Sequence, residues 1–261
     1  MTSTPLIPES IAGIAVPQDR ISAATWAWAH ARLPGYLLAH SVRSYCWGAS
    51  IGMIERLPFE PRILWAAALI HDVGLTRIPR NDRCFEFQGG AIARRFLSRS
   101  GMAAADADRV AVAIELHMAP TVTLADGAES VLLDRATGLD VRGSEYELVA
   151  AVRPDVMRSF PRGDFDRHFL AAIRREVDAR PAVRASGCSD GPTWRRGWPA
   201  RRGQRSSASQ RAWATRRSNR ARGTLFRVGR LGRSSARIPP CSLDWRFRIV
   251  RSITHQLGGR T

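Results

Sequence analysis

Four positions in this sequence combine residue types that bind a cation and activate water. His71 and Asp72 are adjacent and follow directly on the longest apolar run of the chain, Ile63 to Ile70. A carboxylate placed there is costly to bury unless it is paired or bound to a cation. His40 follows Leu37-Leu38-Ala39 near the start of an amphipathic stretch. Asp140 follows Leu139, and its helical neighbours at one and two turns, Ala136 and Leu133, are apolar. Taken singly, each reads as a satisfied core polar group or a helix-end residue. Together they supply two imidazoles and two carboxylates, a donor set for one borderline divalent ion (Zn2+, Fe2+ or Mn2+) with positions left for water. A cation so held brings the pKa of a water toward neutrality.

Other polar residues stand close to this set. His117 continues the apolar stripe Val110, Ala113, Ile114 and so points inward. It reads either as a core imidazole bonded to a carbonyl, or as a general acid/base, a substrate contact or a ligand for a second metal. Glu86 lies between Phe85 and Phe87. It is either an exposed loop carboxylate or a group held beside an apolar pocket, where burial raises its pKa and suits it to proton transfer. Thr76, just past the doublet, is a loop residue or a hydroxyl for the substrate. Arg77, Arg80 and Arg83 are solvated loop cations or a phosphate grip. Gly89-Gly90 is no phosphate loop, because the chain has no GxxxxGK[ST] and no lysine at all.

The elements that must carry these residues are helical. Apolar positions recur at helical spacing through the first 185 residues, and strand alternation is almost absent. Helices are expected from Ser22 to about Ala31, from Tyr36 past Met53, from Arg62 to about Val73 with Gly74 as its stop, and from Gln88 to Ser100. Further helices are expected with Asp106 as cap, from about Gly127 through Leu139, after a capping box at Ser144–Glu147, and from Phe165 to Asp178. The pattern predicts an all-α bundle of seven or eight helices. The segment after Pro61 is apolar nearly all round, which places it in the middle of the core.

Charge divides the chain in two. All 40 basic residues are arginine. Residues 1–185 hold 22 Arg against 21 acids, whereas residues 186–261 hold 18 Arg against Asp190 and Asp244 alone. The second segment is rich in Arg, Ser, Gly and Pro, has no lasting apolar stripe, and carries four tryptophans. It is expected to be a basic tail of low order, because it cannot bury enough apolar surface to offset chain entropy. An out-of-frame translation of a GC-rich gene accounts for this texture; a non-specific nucleic-acid arm is the rival. No apolar run is long enough to span a bilayer. The four cysteines are scattered without a CxxC pair, and no basic-then-apolar leader opens the chain. These features predict no disulfide framework, no membrane and a reducing cytoplasm.

The ordered set His40, His71-Asp72, Asp140 resembles the H…HD…D signature of the HD superfamily of metal-dependent hydrolases. The flanking text "AHSVRSYCWG", "AALIHDVGLT", "FEFQGGAIARRFL", "AIELHMAP" and "GLDVRG" is similar to the cyanamide-hydratase-like branch, over roughly residues 20–180. The resemblance implies an HD-domain helical bundle with one divalent metal, Zn2+ by first choice, on His40, His71, Asp72 and Asp140. Asp72, beside such a metal, can also accept the water's proton, and His117 and Glu86 stay further catalytic or substrate candidates, with Thr76 a substrate candidate. The resemblance tips Glu86 toward the pocket. Two-metal members carry two extra histidines between the doublet and the last aspartate. Here His117 is the only one, so one metal is expected.

Three functions follow as expectations. A hydratase or hydrolase of a small neutral molecule, such as cyanamide converted to urea, needs a small apolar pocket. A phosphohydrolase acting on a nucleotide or phosphodiester needs a wide basic one. A non-catalytic metal-binding domain is the third. The near-neutral charge of residues 1–185 favours the first over the second.

Overall fold

The computed structural model describes residues 6–76, 84–143 and 146–179. The basic tail, the 185/186 boundary, Arg77, Arg80, Arg83 and the Ser144–Glu145 half of the expected capping box lie outside the described residues. Among those described, the expectation of an all-α bundle holds. Eight α-helices run in order: α1 (Arg20–Arg32), α2 (Gly35–Glu55), α3 (Pro61–Ile70), α4 (Phe85–Arg99), α5 (Ala104–Leu116), α6 (Ala128–Arg142), α7 (Arg153–Ser159) and α8 (Phe165–Asp178). A short hairpin, β1 (Ser10–Ile11) and β2 (Ile14–Ala15), precedes them. Its two turn residues, Ala12 and Gly13, both have positive φ, which matches the twist of a two-residue hairpin. The Tyr45 hydroxyl donates to Ala15 O at 2.7 Å and ties the hairpin to α2.

The all-round apolar segment occupies the place its composition requires. Every residue from Ile63 to Ile70 is buried, and α1, α2, α5 and α6 pack around α3. Pro61 opens α3 at a position where its missing N–H costs nothing. The end of this helix differs from expectation. The α-helix stops at Ile70, and His71–Thr76 continue as a 3-10 turn rather than as helix to Val73. Gly74 serves close approach rather than termination: a Cβ there would lie 2.3 Å from Phe85 O. Gly89 has the same role from the other side, where a Cβ would lie 2.9 Å from His71 O. The two glycines let α4 press its backbone against the turn that carries the doublet.

Other boundaries shift for local reasons. Helix α1 starts before Ser22 and is capped by Asp19, which accepts from the N–H groups of Ile21 at 2.9 Å and Ser22 at 3.2 Å. Asp106 lies inside the first turn of α5 and does not cap it; its charge still suits the positive end of the helix. Helix α4 begins three residues earlier than expected, so Glu86 sits in a helical first turn and not in a loop. Cys46 is buried and free. No helix among the described residues is long and apolar enough to cross a membrane.

Candidate metal centre

Three of the singled-out residues meet at one point. His40 comes from α2, and His71 and Asp72 from the 3-10 turn that follows α3. One donor atom from each lies within 4.8 Å of the other two, and all three residues are buried. His40 Nε2 and His71 Nε2 are 3.2 Å apart. Asp72 Oδ2 lies 3.2 Å from His71 Nε2 and 3.5 Å from His40 Nε2, yet has no well-formed hydrogen bond.

The opposite edges of the rings show which atoms carry protons. His71 Nδ1 lies 2.8 Å from Ala68 O. A carbonyl can only accept, so this nitrogen donates and Nε2 keeps its lone pair. His40 Nδ1 lies 2.7 Å from Asp140 Oδ2, and donation to that carboxylate leaves its Nε2 bare as well. His117 repeats the pattern, with Nδ1 donating to Ile114 O at 2.6 Å and Nε2 turned toward Asp72 Oδ1 at 3.8 Å. Lone pairs of two imidazoles and a carboxylate oxygen thus converge in a buried space. They repel one another unless a positive charge sits among them, and a divalent cation with N and O ligands fits this donor set.

The electrostatics agree. Burial would raise the Asp72 carboxyl, but the neighbouring imidazoles, His71 first, hold it down to about 2, so it is an anion at neutral pH. Burial lowers His40 and keeps it neutral. Burial, reinforced by His71, lowers His117 to about 3. Burial also opposes charge on His71, but the Asp72 carboxylate beside it outweighs this and raises its pKa.

Asp140 is drawn to the same region but not to the same point. Its Oδ1 accepts from Arg43 Nε at 2.8 Å and from Trp47 Nε1 at 2.9 Å. Its Oδ2 accepts from Arg43 Nη2 at 2.7 Å and from His40 Nδ1. The carboxylate stands behind His40, on the ring edge away from the cluster, with donors on both oxygens. Burial would raise its pKa, but Arg43 holds it far below the usual carboxylate range. Arg43 also donates to Phe160 O at 3.2 Å and Pro161 O at 3.3 Å, and Arg162 bonds the Asp140 carbonyl. Phe165 of α8 stacks on the His40 ring with centroids 4.7 Å apart.

A narrow cavity with about 10 Å³ of accessible space opens over the cluster. His117, Met118, Thr137, Val141, Arg142 and Phe169 line it beside the three converging residues. Thr76 is elsewhere: its side chain is exposed, and its hydroxyl donates to Val73 O at 2.7 Å, closing the 3-10 turn. Glu86 is buried, in the helix that packs on that turn, but is not among the described residues lining the cavity. Arg43 and Trp47 were not singled out from the sequence. Their signal was present, since His40, Arg43 and Trp47 recur at i, i+3 and i+7 and so share one face of α2.

The segment that holds His40, His71, Asp72, His117 and Asp140 also matches a family. No curated protein matches the chain. Residues 37–145 match the family model of the HD domain, and with the His-His-Asp cluster this match supports placing that part of the chain in the HD superfamily.

Proposed function

We propose that this protein is a metal-dependent hydrolase or hydratase acting on a small molecule. The observation that carries the reading is the convergence of three buried lone pairs, from His40 Nε2, His71 Nε2 and Asp72 Oδ2, with the imidazoles fixed from behind. These three residues would hold one divalent ion, Zn2+ by first choice or Fe2+ or Mn2+, with Asp140 fixing His40. Such an ion supplies Lewis acidity that brings the pKa of a water toward neutrality. The chain's own groups do the rest. Asp72, ionised and in the cluster, accepts a proton from water. His117 Nε2, bare and facing Asp72 Oδ1, takes that proton on or passes it to a leaving group. Phe169, Met118 and Val141 narrow the cavity and keep bulk water from the site.

The small cavity, with Met118, Val141 and Phe169 on its wall, supports a compact neutral substrate such as a nitrile, with water added across C≡N to give an amide (urea from cyanamide). Arg142 supports a second reading. Its guanidinium lies over Gly138, where a Cβ would come within 2.3 Å of Nη2, and it lines the cavity. A cation there suits a phosphoryl oxygen. The full-length chain, analysed for bound metal and assayed for urea release from cyanamide and phosphate release from nucleotides, separates the two. One equivalent of metal with urea release supports the first, and metal with phosphate release supports the second. A chain that binds no metal under any divalent load overturns both.

A further inference from the structure

The geometry points to Arg43 and Trp47 as positioning residues that act on the metal site through Asp140 and His40. The inference rests on the metal-centre reading above and extends it one layer outward. Arg43 is buried and grips Asp140 as a fork, Nε on Oδ1 at 2.8 Å and Nη2 on Oδ2 at 2.7 Å. Trp47 Nε1 takes the second lone pair of Oδ1 at 2.9 Å. With three donors placed, the remaining lone pair of Oδ2 has one direction left, and His40 Nδ1 occupies it at 2.7 Å. The ring therefore cannot turn over or change tautomer without stranding a buried carboxylate, a large penalty in this setting. His40 Nε2 is thereby held as a lone pair aimed at His71 and Asp72. In this arrangement Asp140 works as the carboxylate behind a ligating histidine, an arrangement whose loss typically weakens metal affinity 10–100-fold.

Metal binding and protein stability tested together on the full chain can break this inference. Trp47→Phe keeps the ring volume and removes one donor, Arg43→Lys keeps the charge and removes the fork, and Asp140→Asn keeps the shape and removes the anion. Competition with a chelator should show Zn2+ affinity about 10-fold weaker in Trp47→Phe and 10–100-fold weaker in Arg43→Lys and Asp140→Asn. Stoichiometry should remain at one, and X-ray absorption should count the same nitrogen and oxygen ligands as in wild type. Nitrogen-15 shifts of the His40 ring in the metal-free chain should show the Nδ1–H tautomer in wild type and a mixture in Asp140→Asn. A lost oxygen ligand in Asp140→Asn would make Asp140 a direct ligand and overturn the inference. Unchanged affinity and tautomer in a folded Trp47→Phe would also overturn it. A wild-type chain that takes up no metal defeats the earlier reading instead, and the tautomer measurement still tests the positioning on its own.

Discussion

The two sides of the cluster orient their imidazoles by different means. His71 and His117 each follow the end of a helix and donate Nδ1–H to the carbonyl three residues back, Ala68 and Ile114. Those contacts are local, and the turn that makes them is part of the same helix end. His40 sits early in a long helix and is fixed by Asp140 from α6, a hundred residues away, with Arg43 and Trp47 completing the ion pair and Phe165 stacked on the ring. The first side has little freedom to err once its helices form. The second exists only when α2, α6 and α8 have come together. One half of the site is thus robust to distant changes, and the other ties the metal-binding geometry to global packing.

Substitutions can break this contrast, and the largest effect is expected at the shared cluster. His71→Ala should reduce bound metal from one equivalent to none while leaving the far-ultraviolet circular dichroism helical, because the ring's bond to a backbone carbonyl is to its own helix end. Retained metal at full stoichiometry would refute the ligand set. Next is Asp140→Ala, which strands the Arg43 charge in the core. It should cost about 3–5 kcal/mol of unfolding free energy in a urea titration, where His71→Ala shows a much smaller loss.

Acid should also distinguish the two sides. The Asp140 carboxyl lies lower in the folded chain than in the unfolded one, where it is near 3.9. Its contribution to stability is therefore complete above that value and declines as pH falls below it toward the folded value. In Asp140→Asn that contribution is absent at every pH, so the acid limb of the stability profile should be flatter than in wild type. Gly74→Ala tests the local side, because its Cβ would collide with Phe85 O. It should cost about 1–3 kcal/mol and lower metal affinity by moving the doublet turn. The smallest effect is expected far from both sides. Asp19→Ala removes the cap of α1 and should cost about 1 kcal/mol with metal affinity unchanged.

What was legible in the sequence follows the same division. His71-Asp72 stood out because a carboxylate closed the most apolar helix of the chain, and the structure buries it in the cluster. His117 was placed inward by the stripe of α5, and its bond to Ile114 O is the satisfied-histidine geometry while its other nitrogen faces Asp72. Thr76 was read as a loop residue or a substrate hydroxyl because it neighbours the doublet, and its hydroxyl bonds within the 3-10 turn. The start of α4 was set too late because Phe85-Glu86-Phe87 resembles an alternating strand more than a helical first turn. Packing of α4 against Gly74 overrides that local preference.

The sequence by itself determined the helical class and the burial of α3 and put His40, His71 and Asp72 among four candidate ligands, because apolar periodicity and isolated buried polar groups are properties of the chain read locally. Only the tertiary structure decided that Asp140 faces the back of His40 with Arg43 and Trp47 on its oxygens. A carboxylate on an apolar face must find partners. Which partner it finds depends on helices that meet across about a hundred residues, and spacing within one helix carries no record of that meeting.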